Sequence, residues 1–322
     1  MYRGLPLLVI LFISFYLNIA QANQLQESVV VVVNDYVVTN LDINEKTNLI
    51  IKSSGMRPDK KTTEIMRNHA LYSLIDERLI KTEGQRLKVE IDEKDLQFAL
   101  NSIAQKNNIP FNRLEAHLSK IGINYDELQD QLKSQLLWNK IVRTTVEPKI
   151  FVSEKEVEEN KKAIINALHA AKNQSAMQVK IAEIVLYSRG KKKRVEDING
   201  LAWKLHSEIN NGADFNKFAK EFSQSASAKF GGQIGWVYTS QIMPELVAGI
   251  AQVNNGQTSK PIITEDGVYL IKVLDRKDYK ANLDPEQIDS NRLKEILYNK
   301  KLDLHIKSYL RKLRKEGYVN FK

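Results

Sequence analysis

The side chains best suited to moving protons near neutral pH are the five histidines, His69, His117, His169, His206 and His305. They lie far apart, on segments with helical spacing, and are expected to be structural or surface residues. The chain has no cysteine, so it offers neither a thiolate nucleophile nor thiolate metal ligands. No glycine-rich phosphate loop is present, and nothing fixes a Ser-His-Asp set. Neither a metal nor a cofactor is expected. The stretch with the character of a site is Phe222 to Trp236, FSQSASAKFGGQIGW. It leaves a helix-like end, passes through small polar residues to Gly231-Gly232, and enters a strand-like Ile234-Gly235-Trp236. Ser225 lies within it.

The elements that must hold this loop are legible around it. Gln178 to Tyr187 alternates as a strand, Val195 to Asn210 is amphipathic, and Asp214 caps a helix to Phe222. After the loop, Pro244 to Ala251 reads as a short helix and Val268 to Leu274 as a second alternating strand. The order β-α-α-β-α-β over residues 177–276 defines an α+β domain. Arg189 to Arg194 is a basic loop.

Ahead of it, residues 28–39 (SVVVVVNDYVVT) form two β-branched runs around the turn pair Asn34-Asp35. A helix follows from Asp42, capped by Thr39 or Asn40. From Thr62 to Thr145 the apolar residues recur at spacings of three and four, which predicts an all-α domain with short turns. Val146 to Val152, which contains Pro148, is expected to cross in extended form. Ser153 opens a further helix, which loses its apolar face by Lys172 to Ser175. Asp284-Pro285 begins a last helix to about Lys315, Gly317 stops it, and Tyr318 to Phe321 can close as a strand. The fold class is therefore a multidomain α+β chain.

Arg3, the apolar run Leu5 to Ile19 and Ala20-Gln21-Ala22 have the layout of a secretory signal peptide cleaved near Ala22-Asn23. Beyond residue 22 no stretch approaches the roughly 18 apolar residues needed to cross a bilayer. An exported chain without cysteine must rely on core packing, and it lacks the thiol a lipid anchor requires. The formal net charge is +9, which points to a lysine-rich solvated surface, or more weakly to acidic partners.

Residues 177–276 resemble the parvulin-type (PpiC) peptidyl-prolyl isomerases. The resemblance rests on Gly212-Ala213-Asp214-Phe215, Phe218 to Ser223, Ser227-Ala228, Gly231 to Trp236, Met243 to Leu246, Gly256 to Pro261 and Asp266 to Val273, all in order. The wider layout resembles the SurA family of chaperones, with a signal peptide, a helical N-terminal domain, one parvulin domain and a C-terminal helix and strand. The resemblance implies a signal peptide over 1–22, a helical chaperone domain over 23–176, the parvulin domain over 177–276, and a segment over 284–322 that packs back on the N-terminal domain.

Prolyl isomerisation must lower a barrier of about 18–20 kcal/mol. It needs an apolar pocket for the ring and dipoles that favour the twisted bond. Active parvulins place two histidines, a cysteine or aspartate, and methionine and phenylalanine walls in this site. The resemblance carries the histidines onto Glu183 and Tyr269, and the cysteine or aspartate onto Ser225. The polar position of the final turn falls on Asp266, and the walls on Ile242 and Leu246. Glu183, Ser225 and Tyr269 could form a substitute network, with the tyrosine hydroxyl satisfying the carboxylate. Ile242, Leu246, Trp236 and Tyr269 are the expected peptide-binding residues. With both histidines replaced, weak or absent isomerase activity is expected.

The leading expectation is a periplasmic chaperone that holds unfolded or partly folded outer-membrane proteins, with no nucleic-acid partner and no stable membrane insertion. The alternatives are an active prolyl isomerase for exported proteins, and a structural or adhesion protein that uses its basic surface.

Overall fold

Five consecutive valines, Val29–Val33, form β1, and Tyr36–Thr39 form β2. The two-residue turn between them needs a left-handed residue, and Asn34 supplies it at φ 49°. The computed structural model describes residues 28–170, 176–187, 192–279 and 288–322. The expected leader, the segment around Lys172 and residues 189–191 of the expected basic loop lie outside the described residues, and the rest of that loop, from Lys192, is the first turn of a helix instead.

Helix α1, Asn40–Ser54, starts in a reciprocal capping box. The Asp42 amide donates to Thr39 Oγ1 at 3.2 Å, and the Thr39 amide donates to Asp42 Oδ2 at 2.7 Å. Helices α2 (Lys60–Leu87), α3 (Glu93–Lys106), α4 (Leu114–Lys120) and α5 (Tyr125–Ile141) follow as the periodicity predicts. The expected extended crossing from Val146 is largely helical instead. Val142–Val146 forms a wide π turn and Glu147–Lys149 a 3-10 turn. Pro148 fits there because a first turn does not need its missing N–H. Helix α6, Glu154–Ala170, is capped by Ser153.

The second unit is a four-stranded antiparallel sheet with helices around it. Its elements are β3 (Ala176–Tyr187), α7 (Lys192–Asn210), α8 (Phe215–Phe222), β4 (Gln233–Tyr238), α9 (Pro244–Ala251), the short β5 (Ile262–Ile263) and β6 (Gly267–Tyr279). The strand order is β4-β3-β6-β5. Strand β6 runs five residues past the expected Leu274 because all of it pairs with β3, out to Tyr279 opposite Ala176.

The C-terminal segment returns to the first unit. Helix α10, Ser290–Glu316, is capped by Asp289, which accepts from the amides of Asn291 and Arg292 at 2.9 and 3.1 Å, and the expected start at Asp284-Pro285 lies outside the described residues. Strand β7, Val319–Phe321, pairs antiparallel with β1, which gives a three-stranded sheet of order β2-β1-β7. The first unit is thus helical with a small sheet closed by the chain's end. Asn34 fastens the closure, since its Oδ1 accepts from the Tyr318 amide at 2.8 Å. Arg314 adds a bidentate pair to Asp76 at 2.8 and 2.7 Å.

The two units share one apolar cluster. Val31, Met66 and Leu74 of the first belong with Ala182, Leu205, Phe218 and Phe222 of the second. His69 on α2 packs its ring 5.3 Å from Phe222. Beside this seam Lys46 is buried, with Nζ 2.6 Å from Glu77 and 3.3 Å from Glu127. Burial is the main cause that pushes the Glu127 carboxyl up to about 7, and the ammonium of Lys46 opposes it. Phe222 is 1% exposed and touches both units. Phe222→Ala is expected to cost about 3–5 kcal/mol in chemical denaturation. A loss below about 1 kcal/mol would show that the shared cluster does not hold the units together.

Candidate functional site

The FSQSASAKFGGQIGW stretch becomes the edge of a groove. After α8 the chain makes a 3-10 turn, Ala226–Phe230, and reaches two glycines. Gly232 has φ +78°, and a Cβ on it would lie 2.2 Å from the Glu183 carbonyl oxygen. Only glycine lets the turn approach β3 this closely, and the Glu183 amide donates to the Gly232 carbonyl at 2.8 Å. The glycine pair therefore fixes the backbone of Glu183 next to Ser225.

The groove is a cavity of about 260 Å³. Its floor is the sheet, with Ile181, Glu183 and Val185 from β3 and Tyr269 and Ile271 from β6. Ile242 and Leu246 form one end. Phe230, Met243 and Leu304 stand at its rim, 64%, 37% and 54% exposed. Glu183, Asp266, Tyr269, Ile242 and Leu246 thus line one cavity, and Ser225 lies under its edge, bonded to Glu183.

Trp236 does not line the groove. Strand alternation places it on the opposite face from Val237, where the Lys277 ammonium sits 4.3 Å above its ring. The expected hydroxyl partner for Glu183 is also different. Ser225 Oγ donates to Glu183 Oε1 at 2.6 Å and Ser227 Oγ donates to the same oxygen at 3.1 Å, so serines satisfy the carboxylate and Tyr269 does not.

A residue that no sequence pattern singled out completes this network. Asp303 of α10 accepts from the Ala226 amide and lies 3.3 Å from Ser225 Oγ. One serine hydroxyl carries one proton and faces two carboxyls. Burial, followed by the charge of Asp303, pushes Glu183 up to about 7, against the serine hydrogen bonds. Burial also raises Asp303 above the usual carboxylate range, opposed by the Ala226 amide and Ser225. Burial is likewise the leading cause that raises the Tyr269 phenol, so it stays protonated. The cavity lining holds no imidazole, and beside Ser225 it carries the raised Glu183 and Asp303 carboxyls and the neutral Tyr269 phenol.

Helix α10 forms the remaining wall. Ile296, Asn299, Lys300, Asp303 and Lys307 face the cavity at helical spacings that make a single stripe, and Leu302 touches it from the side. Lys307 pairs with Asp266 and lies 5.1 Å over the Tyr187 ring. At the other end Arg292 donates to the Ile234 carbonyl, and its guanidinium occupies the space a side chain on Gly235 would need.

The antiparallel sheet, its helices and the groove define a parvulin-type domain, and the family described as the PPIC-type PPIASE domain matches residues 163–277. The SurA N-terminal domain matches residues 26–143. The chain is SurA-like: a SurA N-terminal domain joined to one PpiC-type domain, with the C-terminal helix and strand packed back on the first. The protein named Chaperone SurA of Pectobacterium atrosepticum is 27% identical over 260 residues, covering 79% of this chain and 58% of that protein. Chaperone SurA of Pseudomonas putida is 26% identical over 270 residues, covering 82% and 61%. The chain thus spans less than two thirds of the length of these relatives. A solved structure from work on SurA-like chaperones of Campylobacter jejuni covers 92% of this chain and 99% of its own, at 17% identity and a TM-score of 0.39.

The acid pair has a direct test. A carboxyl raised in the folded state binds its proton more tightly there than in the unfolded chain, where glutamate titrates near about 4.3. Its contribution to stability is full below that value and is lost as pH rises through about 7. The Glu183 side-chain carbon should therefore titrate near 7 by NMR, and lower in Asp303→Asn. A midpoint at the ordinary glutamate value in the intact chain would rule out the buried pair.

Proposed function

We propose that this protein is a periplasmic chaperone that holds unfolded outer-membrane proteins, and that its parvulin domain has little or no isomerase activity and keeps its groove for extended chain. The observation that carries the second half is the Ser225 hydroxyl. It sits where the resemblance puts a catalytic cysteine or aspartate, and it is spent between Glu183 and Asp303. Catalysis of bond rotation needs dipoles aimed at the twisted peptide. A hydroxyl bound inside an acid pair is aimed elsewhere.

The match to a SurA N-terminal domain and the name Chaperone SurA on the curated relatives support the first half. The surface is compatible with it. Phe98 on α3 and Phe151 before α6 are 76% and 74% exposed, which is unusual for rings of that size. Strands of outer-membrane barrels alternate apolar and polar residues, so such rings can take one face of an unfolded strand. The leader-like N-terminus supports export, and among the described residues no helix is long and apolar enough to cross a membrane.

The holding activity is tested by light scattering of an unfolded porin diluted from denaturant. The protein should suppress aggregation, and the double variant Phe98→Ser, Phe151→Ser should do so several-fold less well. Its stability should change by no more than about 0.5 kcal/mol per site, as for exposed positions. Failure of the intact protein to suppress aggregation would end the chaperone reading. A protease-coupled prolyl assay should find turnover near background, and turnover near that of an active parvulin would refute the inactive site.

A further inference from the structure

The cavity stripe of α10 fills one whole side of the parvulin groove, and it is anchored at three levels. Arg292 binds the Ile234 carbonyl at the start, Asp303 binds the Ala226 amide and Ser225 in the middle, and Lys307 pairs with Asp266 at the far end. Between these anchors Ile296 packs its apolar side chain against the sheet floor of the cavity. These are the kinds of contact an extended peptide would make in such a groove: apolar side chains toward the floor and polar groups to the turn backbone.

We propose that α10 is a built-in competitor for the parvulin groove. An extended chain gains full access only when the Asp303 and Lys307 contacts are broken. The inference rests on the reading above that the groove accepts extended chain, and it adds that the folded protein keeps this groove closed to clients by default.

Two features set the groove contacts of α10 apart from those that hold the units together. Its hold on the first unit is separate, through Arg314 with Asp76, Lys301 with Glu156, and β7 with β1. The groove contacts are also mixed in character. Lys307 and Asp266 are a partly exposed pair, with side chains 11% and 41% exposed, and such pairs contribute modestly and weaken with salt. Asp303 shares its serine with Glu183, so each carboxyl weakens the other's place there. The apparent affinity for a peptide falls by the fraction of molecules whose groove is open.

The chain has no cysteine, which allows a selective tether. In the double variant Lys307→Cys, Asp266→Cys, a short bis-maleimide would hold α10 against the groove, and N-ethylmaleimide would cap the same thiols without bridging them. The probe is a short, labelled, unstructured peptide that alternates apolar and polar residues and contains one proline, followed by fluorescence anisotropy. Binding is located by NMR shifts at Tyr269 and Ile271. The bridged protein should bind about tenfold more weakly than the capped one. Lys307→Glu, which sets like charges together in the otherwise native chain, should bind about tenfold more tightly than the unaltered chain. Equal affinity in bridged and capped protein would overturn the competitor role, and so would binding by none of the variants. Porin aggregation is measured on the same bridged protein. Suppression that survives bridging leaves the chaperone reading standing, whatever the peptide assay returns.

Discussion

Helix α10 has to bury two faces at once, and the arrangement of the two units follows from this. One face carries Leu293 and Leu297 into a cluster with Val157 and Ile164 of α6, and Leu302 and Ile306 into another with Val142 and Val146. Another carries Ile296, Asp303 and Lys307 onto the parvulin sheet and its turn. A helix with a single apolar stripe would be satisfied by the first unit alone. This helix is only weakly segregated along its length because both sides have partners, so the parvulin unit is held where its groove meets α10. The shared cluster around Phe222 and the buried Lys46 seam hold the opposite side of that unit.

The energetics of the groove follow from that placement. Glu183 and Asp303 are carboxyls removed from water, and each costs several kcal/mol unless it is hydrogen-bonded or protonated. Their donors are two serine hydroxyls and one backbone amide. Burial favours the protonated form of Glu183 and pushes its carboxyl up to about 7, which lowers the cost of the arrangement near neutral pH. The same arrangement engages the polar side chains of the groove. Ser225 is bonded, Lys307 is paired with Asp266, and the Tyr269 phenol is neutral. Ser225 and Asp266 thus take part in the packing between the two units.

Much of this was legible in the sequence because it depends on neighbours in the chain. The Asn34 turn, the Asp214 and Ser153 caps, and the alternation of β3 and β6 are local signals, and each element formed there, with β6 running on to Tyr279. The positions carried over from the resemblance also lie together, with Glu183, Asp266 and Tyr269 on one cavity and Ser225 bonded to Glu183 beneath its edge. What was not legible depends on contacts between distant segments. Asp303 is one acid among many charges on a long helix, and only the packing of α10 reveals that it lies against Ser225, 78 residues away. Trp236 was misplaced because a strand's two faces can be told apart only when the register is known. The actual register puts Lys180 opposite it and Val179 opposite Val237.

The chain order imposes one more constraint. Strand β1 is made first and β7 last, yet they are neighbours in one sheet, with Val33 opposite Val319. The SurA-type unit therefore cannot complete its sheet until the final residues are available, whereas β3 to β6 are contiguous and can pair earlier. Contacts of such long range are slow to form, because loop entropy is lost before they contribute. The parvulin sheet is thus built from one contiguous stretch, whereas the α10 wall of its groove comes from further along the chain. The apolar floor of Ile181, Val185 and Ile271 has that wall only when α10 is docked.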